Sequence, residues 1–249
     1  MSKTFEALMK AEAEKQQQDV GLKPPDQGPH PKRYPPKKLN GSSNMVEEYH
    51  RMKLQIQAAD SEGTQKTLVF FSSLQGEGTS TVVSSFAKSI ACKGETVLLI
   101  DANLRHPVLH QVFHLEQKRG LAELLKGKSS LSDVTQKTRT PNLSVITSGS
   151  DTANPFSLFD CGAMTAAIAG IKEQAAWVLF DAPPVNSYND ALALAAKTDG
   201  AVMVVEAEKT RWEVAQKVRR QLEQGGIRIL GAVLNKRQMR IPGWAYRML

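Results

Sequence analysis

Residues 67–81 read TLVFFSSLQGEGTST, and this stretch decides the fold. Its first half is an apolar run of strand length, and its second half is a glycine-rich turn that leads into an apolar helix. Such a turn directs backbone N–H groups and the positive end of the helix dipole at one point, which suits a polyphosphate. The usual phosphate-loop motif ends in Gly-Lys-Ser/Thr, but Thr79 occupies the lysine position here. Taken alone, the stretch fits either a phosphate loop or a plain glycine turn.

Short apolar runs and helical stretches alternate along the rest of the chain. The runs are rich in Val, Ile and Leu, as expected for strands that are covered on both faces. They lie at residues 67–73, 96–102, 143–147, 177–181, 201–206 and 229–235. Helical stretches lie at residues 46–58, 80–91, 156–173 and 211–224. This pattern predicts an α/β fold, a doubly wound and mainly parallel sheet flanked by helices.

The two ends of the chain differ in composition from this middle part. Residues 2–17 carry apolar side chains at helical spacing, which predicts a short helix, and residues 21–43 are dense in Pro, Gly and Lys, which predicts an extended linker. We therefore expect a helix and linker over residues 1–43, a folded domain over residues 44–235 and a basic, apolar tail over residues 236–249.

Composition narrows the classes of protein that need to be considered. A chain of 249 residues that is 41% hydrophobic can bury one sizeable core. The net charge of +7 comes from basic residues scattered among acidic ones, which argues against a nucleic-acid partner. Only two cysteines are present, so a disulfide framework is not expected and a reducing compartment is favoured. Because no signal peptide or membrane-spanning stretch is evident, we expect a cytoplasmic protein that would have to be recruited to a membrane.

Acidic side chains end two further strands of the predicted sheet. The second apolar run ends in Asp101, followed by Asn103 and Arg105, and the run at 177–181 ends in Asp181. Ligands of doubly wound sheets bind at the carboxyl ends of the strands. A carboxylate there can hold Mg²⁺ or orient a water or hydroxyl, and an arginine can offset phosphate charge. Either aspartate alone also fits a helix cap or a turn, but three such strand ends together favour a nucleotide site.

The segments that contain these strand ends resemble those of a known family. The segments SSLQGEGTST, VLLIDANLRHP and VLFDAPP, in this order and spacing, resemble the Walker A, second Asp and Walker B motifs of the bacterial tyrosine autokinases of exopolysaccharide export, the CpsD/CapB type. These kinases are related to the partition and division-site ATPases. GLAELLKGK at 120–128 and LGAVLN at 230–235 also look like family segments, and the resemblance covers residues 46–235.

The resemblance implies a P-loop kinase-like domain that uses ATP and Mg²⁺, and it implies a role for each matching residue. Asp101, Asp181 and Arg105 would serve catalysis. Ser80, Asp101 and Asp181 would hold Mg²⁺. The nucleotide-binding residues would be Gly76, Glu77, Gly78, Thr79, Ser80, Thr81 and, at the adenine, Asn235.

The resemblance also implies partners and a location. The expected partner is a transmembrane polysaccharide co-polymerase, or chain-length protein, and the chain would lie in the cytoplasm at the inner face of the cell membrane. Self-association into a homo-oligomer is implied as well. The family's oligomerising Glu-x-x-Arg-x-x-Arg is Glu47-x-x-His50-x-x-Lys53 here, which weakens that last inference.

Departures from the family pattern keep three functions open. Thr79 replaces the lysine, Asn103 replaces the second aspartate of Asp-x-Asp-x-Arg, and Tyr246 stands alone where the kinases have a cluster of tyrosines. Retention of both strand-end aspartates favours an autokinase. The three departures favour a pseudokinase that acts as a non-catalytic regulatory partner. A partition-type ATPase is a third reading, and it suffers from the same missing lysine.

Three other features have simpler interpretations. His106, His110 and His114 recur at intervals of four, which would suit a metal site on one helix, but the proline after His106 makes a continuous helix doubtful. The basic tail fits either an anchor for an anionic membrane or a solvated terminus. Trp177 and Trp212 are expected to be packing residues.

Overall fold

The computed structural model describes residues 43–59, 67–150 and 154–237. The predicted N-terminal helix, nearly all of the predicted linker and the tail beyond residue 237 lie outside these described residues.

The described residues form an alternating series of strands and helices. The strands are β1 (Thr67–Ser72), β2 (Val97–Asp101), β3 (Thr135–Lys137), β4 (Leu143–Ile146), β5 (Trp177–Asp181), β6 (Gly200–Glu206) and β7 (Ile229–Asn235). The helices are α1 (Ser43–Ala59), α2 (Thr79–Ala91), α3 (Leu109–Phe113), α4 (Leu121–Leu125), α5 (Leu131–Val134), α6 (Pro155–Asp160), α7 (Gly162–Lys172), α8 (Asp190–Ala195) and α9 (Trp212–Gln224).

The strands form one seven-stranded sheet in the order β3-β4-β2-β5-β1-β6-β7. Every pairing is parallel except that of β3 with β4. Parallel strands need crossover connections, and helices α2 to α9 lie along those connections. The α/β, mainly parallel fold predicted from the sequence is therefore confirmed.

Apolar residues cover both faces of the sheet. Alternate residues of β1 belong to different clusters, Val69 and Phe71 to one and Leu68 and Phe70 to the other. Because successive side chains of a strand point to opposite faces, these clusters are the two core layers of a doubly wound sheet. Helices α1, α2 and α3 contribute to the layer of Phe70, and helices α4 to α9 contribute to the layer of Phe71.

The structure differs from the sequence predictions in a strand, in a helix and in the burial of one tryptophan, and it adds the short helices α3, α4, α5 and α8. Strand β3 was not predicted because its three residues, TQK, carry no apolar run. The helix predicted over residues 156–173 is two helices, since Cys161 between them is extended, with ψ of 162°. Of the two tryptophans expected to pack, Trp177 is buried but Trp212 is 67% exposed, so the expectation for Trp212 was wrong.

Helix α1 is attached to the sheet by a polar contact as well as by apolar packing. The Lys53 ammonium pairs with the Glu95 carboxylate, whose other oxygen accepts the indole N–H of Trp177 at 2.6 Å. On the apolar side, Tyr49 packs against Phe86 with 6.4 Å between ring centroids. Lys53, at the third position of the segment that resembles the family's oligomerising motif, is therefore engaged within its own chain.

Candidate nucleotide-binding site

The three predicted strand ends meet at one edge of the sheet. Strand β5 lies between β1 and β2, and its Asp181 is in register with Phe70 of β1 and with Asp101 of β2. The loop that follows β1 is therefore next to Asp181, and Asp181 is next to Asp101. The fold brings the glycine loop and both aspartates together, as their positions in the sequence predicted.

The glycine loop has the backbone conformation of a phosphate-binding turn. Gly76 and Gly78 have φ of +86° and +94°, in the left-handed region that favours glycine. Gly78 is the N-cap of α2, so the first free N–H groups of that helix face the loop. A Cβ atom on Gly78 would lie 2.3 Å from Asn235 Nδ2, so no larger residue fits at position 78 without a shift.

The side chains of this loop have different surroundings. Glu77 is buried, and its carboxylate accepts the Leu74 N–H at 2.8 Å and the Thr210 hydroxyl. Only its backbone is therefore left for a ligand. Thr79, in the position of the family's lysine, has a buried hydroxyl without a hydrogen-bond partner among the described residues. Thr81 is exposed.

Asp101 fixes the loop that follows β2. Its Oδ2 accepts the N–H groups of Val108 at 3.0 Å and Leu109 at 2.9 Å, and its Oδ1 accepts that of Asn103 at 3.3 Å. Burial raises the pKa of Asp101 to about 7, although the hydrogen bonds from these three residues act in the opposite direction.

Asp181 has no such support. It is fully buried, and neither carboxylate oxygen has an aligned hydrogen-bond donor in the described part of the chain. Burial raises the pKa of Asp181 well above its usual range, the neighbouring charge of Asp101 raises it further, and the Ser80 side chain offsets part of the rise. Because buried polar groups are nearly always paired, this carboxyl group is suited to bind a ligand.

These residues fit a magnesium ion by their chemistry. Ser80, Asp101 and Asp181 present hydroxyl and carboxylate oxygens, the donors that Mg²⁺ prefers, and the carboxylate of Asp181 lacks a partner that such an ion would supply.

A cluster of three or more His, Cys, Asp or Glu side chains that could hold a metal is not found across residues 43–59, 67–150 and 154–237. The three histidines do not share a helix, because α3 covers only His110 among them and His114 is left-handed at its end.

Arg105 lies at the same edge but is engaged elsewhere. Its Nε donates to Asp190 Oδ2 at 2.6 Å, its Nη2 donates to Asp190 Oδ1 at 3.3 Å, and its guanidinium lies 4.2 Å from the ring centre of Tyr188. Asp190 is almost completely buried, so this ion pair holds the start of α8 against the loop after β2. The structure therefore places Arg105 near the site, with its guanidinium already bound to Asp190.

Asn103 and Asn235 have structural partners as well. Asn103 Oδ1 accepts the His106 N–H at 3.2 Å, which stabilises the turn after β2. Asn235 Nδ2 donates to the Glu77 carbonyl at 2.8 Å, which joins the end of β7 to the glycine loop. Its Oδ1 is left to accept, and an acceptor suits the exocyclic amine of adenine.

Sequence reasoning missed the support that surrounds these residues. Glu77 was assigned to the nucleotide without its buried partners, and Asp190 and Thr210 received no role. Contacts over 85 residues, as between Arg105 and Asp190, leave no local spacing in the sequence. The signal available for Glu77 was an acidic residue inside an otherwise small and polar loop.

Several known proteins resemble this chain in sequence. A sequence profile of the family described as cellulose biosynthesis protein BcsQ matches residues 67–224. The chain is 34% identical over 204 residues to tyrosine-protein kinase YwqD of Bacillus subtilis, with 82% of this chain and 84% of YwqD covered. It is 33% identical over 200 residues to tyrosine-protein kinase CpsD of Streptococcus agalactiae, with 80% and 86% covered. The chain belongs to the bacterial tyrosine-protein kinase family.

Solved structures of the bacterial tyrosine kinases share its fold. The chimerical protein CapA2B2 superposes with a TM-score of 0.76 at 29% identity, covering 80% of this chain and 88% of that one. The kinase domain of the Escherichia coli tyrosine kinase ETK gives 0.76 at 28% identity, covering 79% and 77%. The septum site-determining protein MinD of Pyrococcus horikoshii, complexed with Mg-ADP, gives 0.61 at 23% identity, which shows the fold alone. The predicted family and P-loop fold are confirmed.

None of the helices in the described part of this kinase-family chain combines the length and the apolar character that crossing a membrane requires.

Proposed function

We propose that this chain binds ATP and Mg²⁺ at the edge formed by β1, β5 and β2, and that it regulates exopolysaccharide biosynthesis through a transmembrane polysaccharide co-polymerase. The observation that carries the proposal is the buried carboxyl group of Asp181 beside Asp101 and the glycine loop, for which the described residues provide no aligned hydrogen-bond donor. Membership of the tyrosine-kinase family supports the polysaccharide role, and the match to a cellulose biosynthesis profile agrees with it.

In this proposal the glycine loop, the base-facing side chain and the acidic residues have different tasks. The backbone N–H groups of residues 76–80 bind the phosphates, and the Asn235 side chain faces the base. Ser80, Asp101 and Asp181 hold the metal ion, whose charge offsets that of the phosphate oxygens. The domain over residues 44–235 is the nucleotide-binding part, and the protein works in the cytoplasm at the inner face of the membrane.

If the chain is a kinase, the chemistry is transfer of the γ-phosphoryl group from ATP to a tyrosine oxygen, with ADP as the leaving group. Asp101, at the end of β2, would orient the tyrosine hydroxyl and take its proton during the transfer. An open cleft lies between the loop that follows β2 and the loop that follows β4, and we propose that it receives a tyrosine from a partner chain. The cleft is lined by Leu104, Arg105, Pro107, Gln117, Lys118, Gly149 and Ser150.

A specific observation favours a second function, that of a nucleotide-gated pseudokinase. Thr79 supplies no charge to the phosphates, and the guanidinium of Arg105 is held by Asp190. A site with these features can bind nucleotide through its backbone while lacking the cations that stabilise a transferring phosphoryl group.

Calorimetric titration of ADP and ATP, with and without Mg²⁺, tests the proposal, and a phosphotyrosine assay on the same sample distinguishes its two forms. We expect Mg²⁺-dependent binding. Binding with phosphotyrosine would establish the kinase, and binding without it would establish the pseudokinase. Absence of binding to both nucleotides would contradict the proposal. Asp133→Asn, a change at an exposed helix cap, is the matched control for Asp181→Asn in these titrations.

A further inference from the structure

Lys236 contacts the glycine loop from the far end of the chain. It directly follows β7, and its ammonium lies 2.6 Å from the Gly76 carbonyl oxygen and 3.1 Å from Glu206 Oε2. The ammonium holds the pKa of the Glu206 carboxyl below its usual value. Lys236 was predicted to begin a basic, apolar tail, but in the structure its side chain is directed to the loop.

The backbone at Lys236 has an unusual conformation that explains this direction. Its φ is +57°, in the left-handed region that a lysine rarely adopts. Left-handed residues other than glycine are unfavourable and persist where surrounding contacts compensate. Here the turn immediately after β7 brings the side chain back over Gly78, with its Cε 3.7 Å from the position of a Gly78 Cβ.

Lys236 and Asn235 together orient two successive peptide groups of the loop. Lys236 binds the carbonyl of Gly76, and Asn235 binds the carbonyl of Glu77 at 2.8 Å. In a trans peptide the carbonyl and the N–H point in opposite directions, and the described chain contains no cis peptide. The N–H groups of Glu77 and Gly78 therefore point away from β7, into the side of the loop where phosphates would bind.

We propose that Lys236 is a positioning residue for the phosphate loop, with a task different from that of the lysine missing at position 79. It holds the Gly76 carbonyl outward, so that the N–H of Glu77 stays directed at the nucleotide. The inference rests on the proposed nucleotide binding. Because the ammonium binds the outer, carbonyl side of the loop, its effect is on the β-phosphate region that ADP and ATP share.

The chain offers a matched pair of lysines for the test. Lys209 also pairs with Glu206 Oε2 at 3.1 Å, but it is 64% exposed and the described contacts do not connect it to the loop. Lys236→Met should weaken ADP and ATP binding by a similar factor of about ten, as expected for loss of a charged hydrogen bond. Lys209→Met should leave both affinities within about twofold of the original. Lys236→Arg, which keeps a cationic donor, should recover most of the affinity.

A second measurement separates this inference from the proposed function. In the nucleotide-free protein, Lys236→Met should shift the ¹H–¹⁵N resonances of Glu77 and Gly78, whereas Lys209→Met should not. If the unchanged protein bound no nucleotide, the proposed function would fail while this spectrum still tested the loop contact. Unchanged loop resonances in Lys236→Met would overturn the inference. A loss of affinity confined to ATP would also overturn it, since that result would indicate direct contact with the γ-phosphate.

Discussion

The two sides of the candidate site differ in how their polar groups are satisfied. On the loop side, residues 73–81 are held by Thr210, Asn235 and Lys236, and the buried Glu77 carboxylate has two partners. On the acid side, around Asp101 and Asp181, both carboxyl groups are fully buried. That of Asp181 has no aligned hydrogen-bond donor among the described residues.

This difference distinguishes scaffolding from ligand-binding groups. A buried polar group that the protein itself satisfies contributes to the fold, whereas one that it leaves unsatisfied costs stability until a ligand binds. Removal of the Glu77 carboxylate from the loop side should therefore lower the unfolding free energy, whereas removal of the Asp181 carboxylate from the acid side should lower ligand affinity without lowering stability. Four predictions test this distinction, from the largest expected effect to the smallest.

The pH dependence of stability should originate on the acid side. The pKa of Asp101 rises from 3.8 unfolded to about 7 folded, and that of Asp181 rises as well. Between these values the folded protein binds more protons than the unfolded chain, so without Mg²⁺ its stability falls as pH rises from about 4 to 7. One proton accounts for at most about 1.4 kcal/mol per pH unit. Urea unfolding in the presence of a chelator measures this.

The control for that experiment is Asp181→Asn, which removes one of the two titrating carboxyls. The unfolding free energy of the original protein, minus that of the variant, should decrease across this pH range. Taking the difference cancels groups with lowered pKa values, such as Glu95, whose contribution has the opposite sign. A difference that stays constant with pH would show that the pKa of Asp181 is not raised in the folded protein.

Asp181→Asn should also separate affinity from stability. We expect Mg²⁺-dependent affinity for ADP to fall by about a hundredfold, because a neutral amide is a poor ligand for Mg²⁺. The ligand-free variant should unfold at the same or a higher temperature, since a desolvated carboxylate has been replaced. Calorimetry and thermal unfolding measure the two effects. A large loss of thermal stability would indicate that Asp181 is scaffolding after all.

The sequence predicted most of the acid side because strand ends can be located from it. An apolar run followed by an aspartate places that carboxylate at the ligand edge of any parallel sheet, and both Asp101 and Asp181 are found there. The missing lysine at position 79 could also be recognised from the loop alone. What determined these predictions was local spacing within single segments.

The sequence did not predict how the loop side is held together. Glu77 is 133 residues from Thr210, and Lys236 is 160 residues from Gly76, so their contacts depend on the order of strands in the sheet. A lysine after the last strand looks like the start of a basic tail until a left-handed φ directs it back to the loop. Strand β3 was missed for a different reason, since an edge strand with a polar sequence has no hydrophobic signal.

Glu77→Ala tests the loop side for the opposite behaviour. Removal of the carboxylate leaves the Leu74 N–H and the Thr210 hydroxyl without their acceptor, which should cost about 2 kcal/mol of unfolding free energy. Glu77→Gln keeps an acceptor oxygen and should cost about half as much. Glu48→Gln, on an exposed face of α1, is the control and should change stability by less than about 0.5 kcal/mol. Urea unfolding measures all three, and equal stabilities would contradict a scaffolding role for Glu77.

Arg105→Lys gives the smallest expected effect, and it decides whether Arg105 stabilises the fold or binds the nucleotide. Lysine keeps the charge beside the buried Asp190 but loses the two-pronged contact and the stacking on Tyr188, so we expect a loss of about 1 kcal/mol of unfolding free energy. Because the guanidinium is already occupied, the affinity for ADP with Mg²⁺ should stay within about twofold. If the affinity for ATP fell much more than that for ADP, Arg105 would leave Asp190 to bind the γ-phosphate. In that case the kinase would have a cation to replace the lysine lost at Thr79, and the pseudokinase reading would lose one of its two supports.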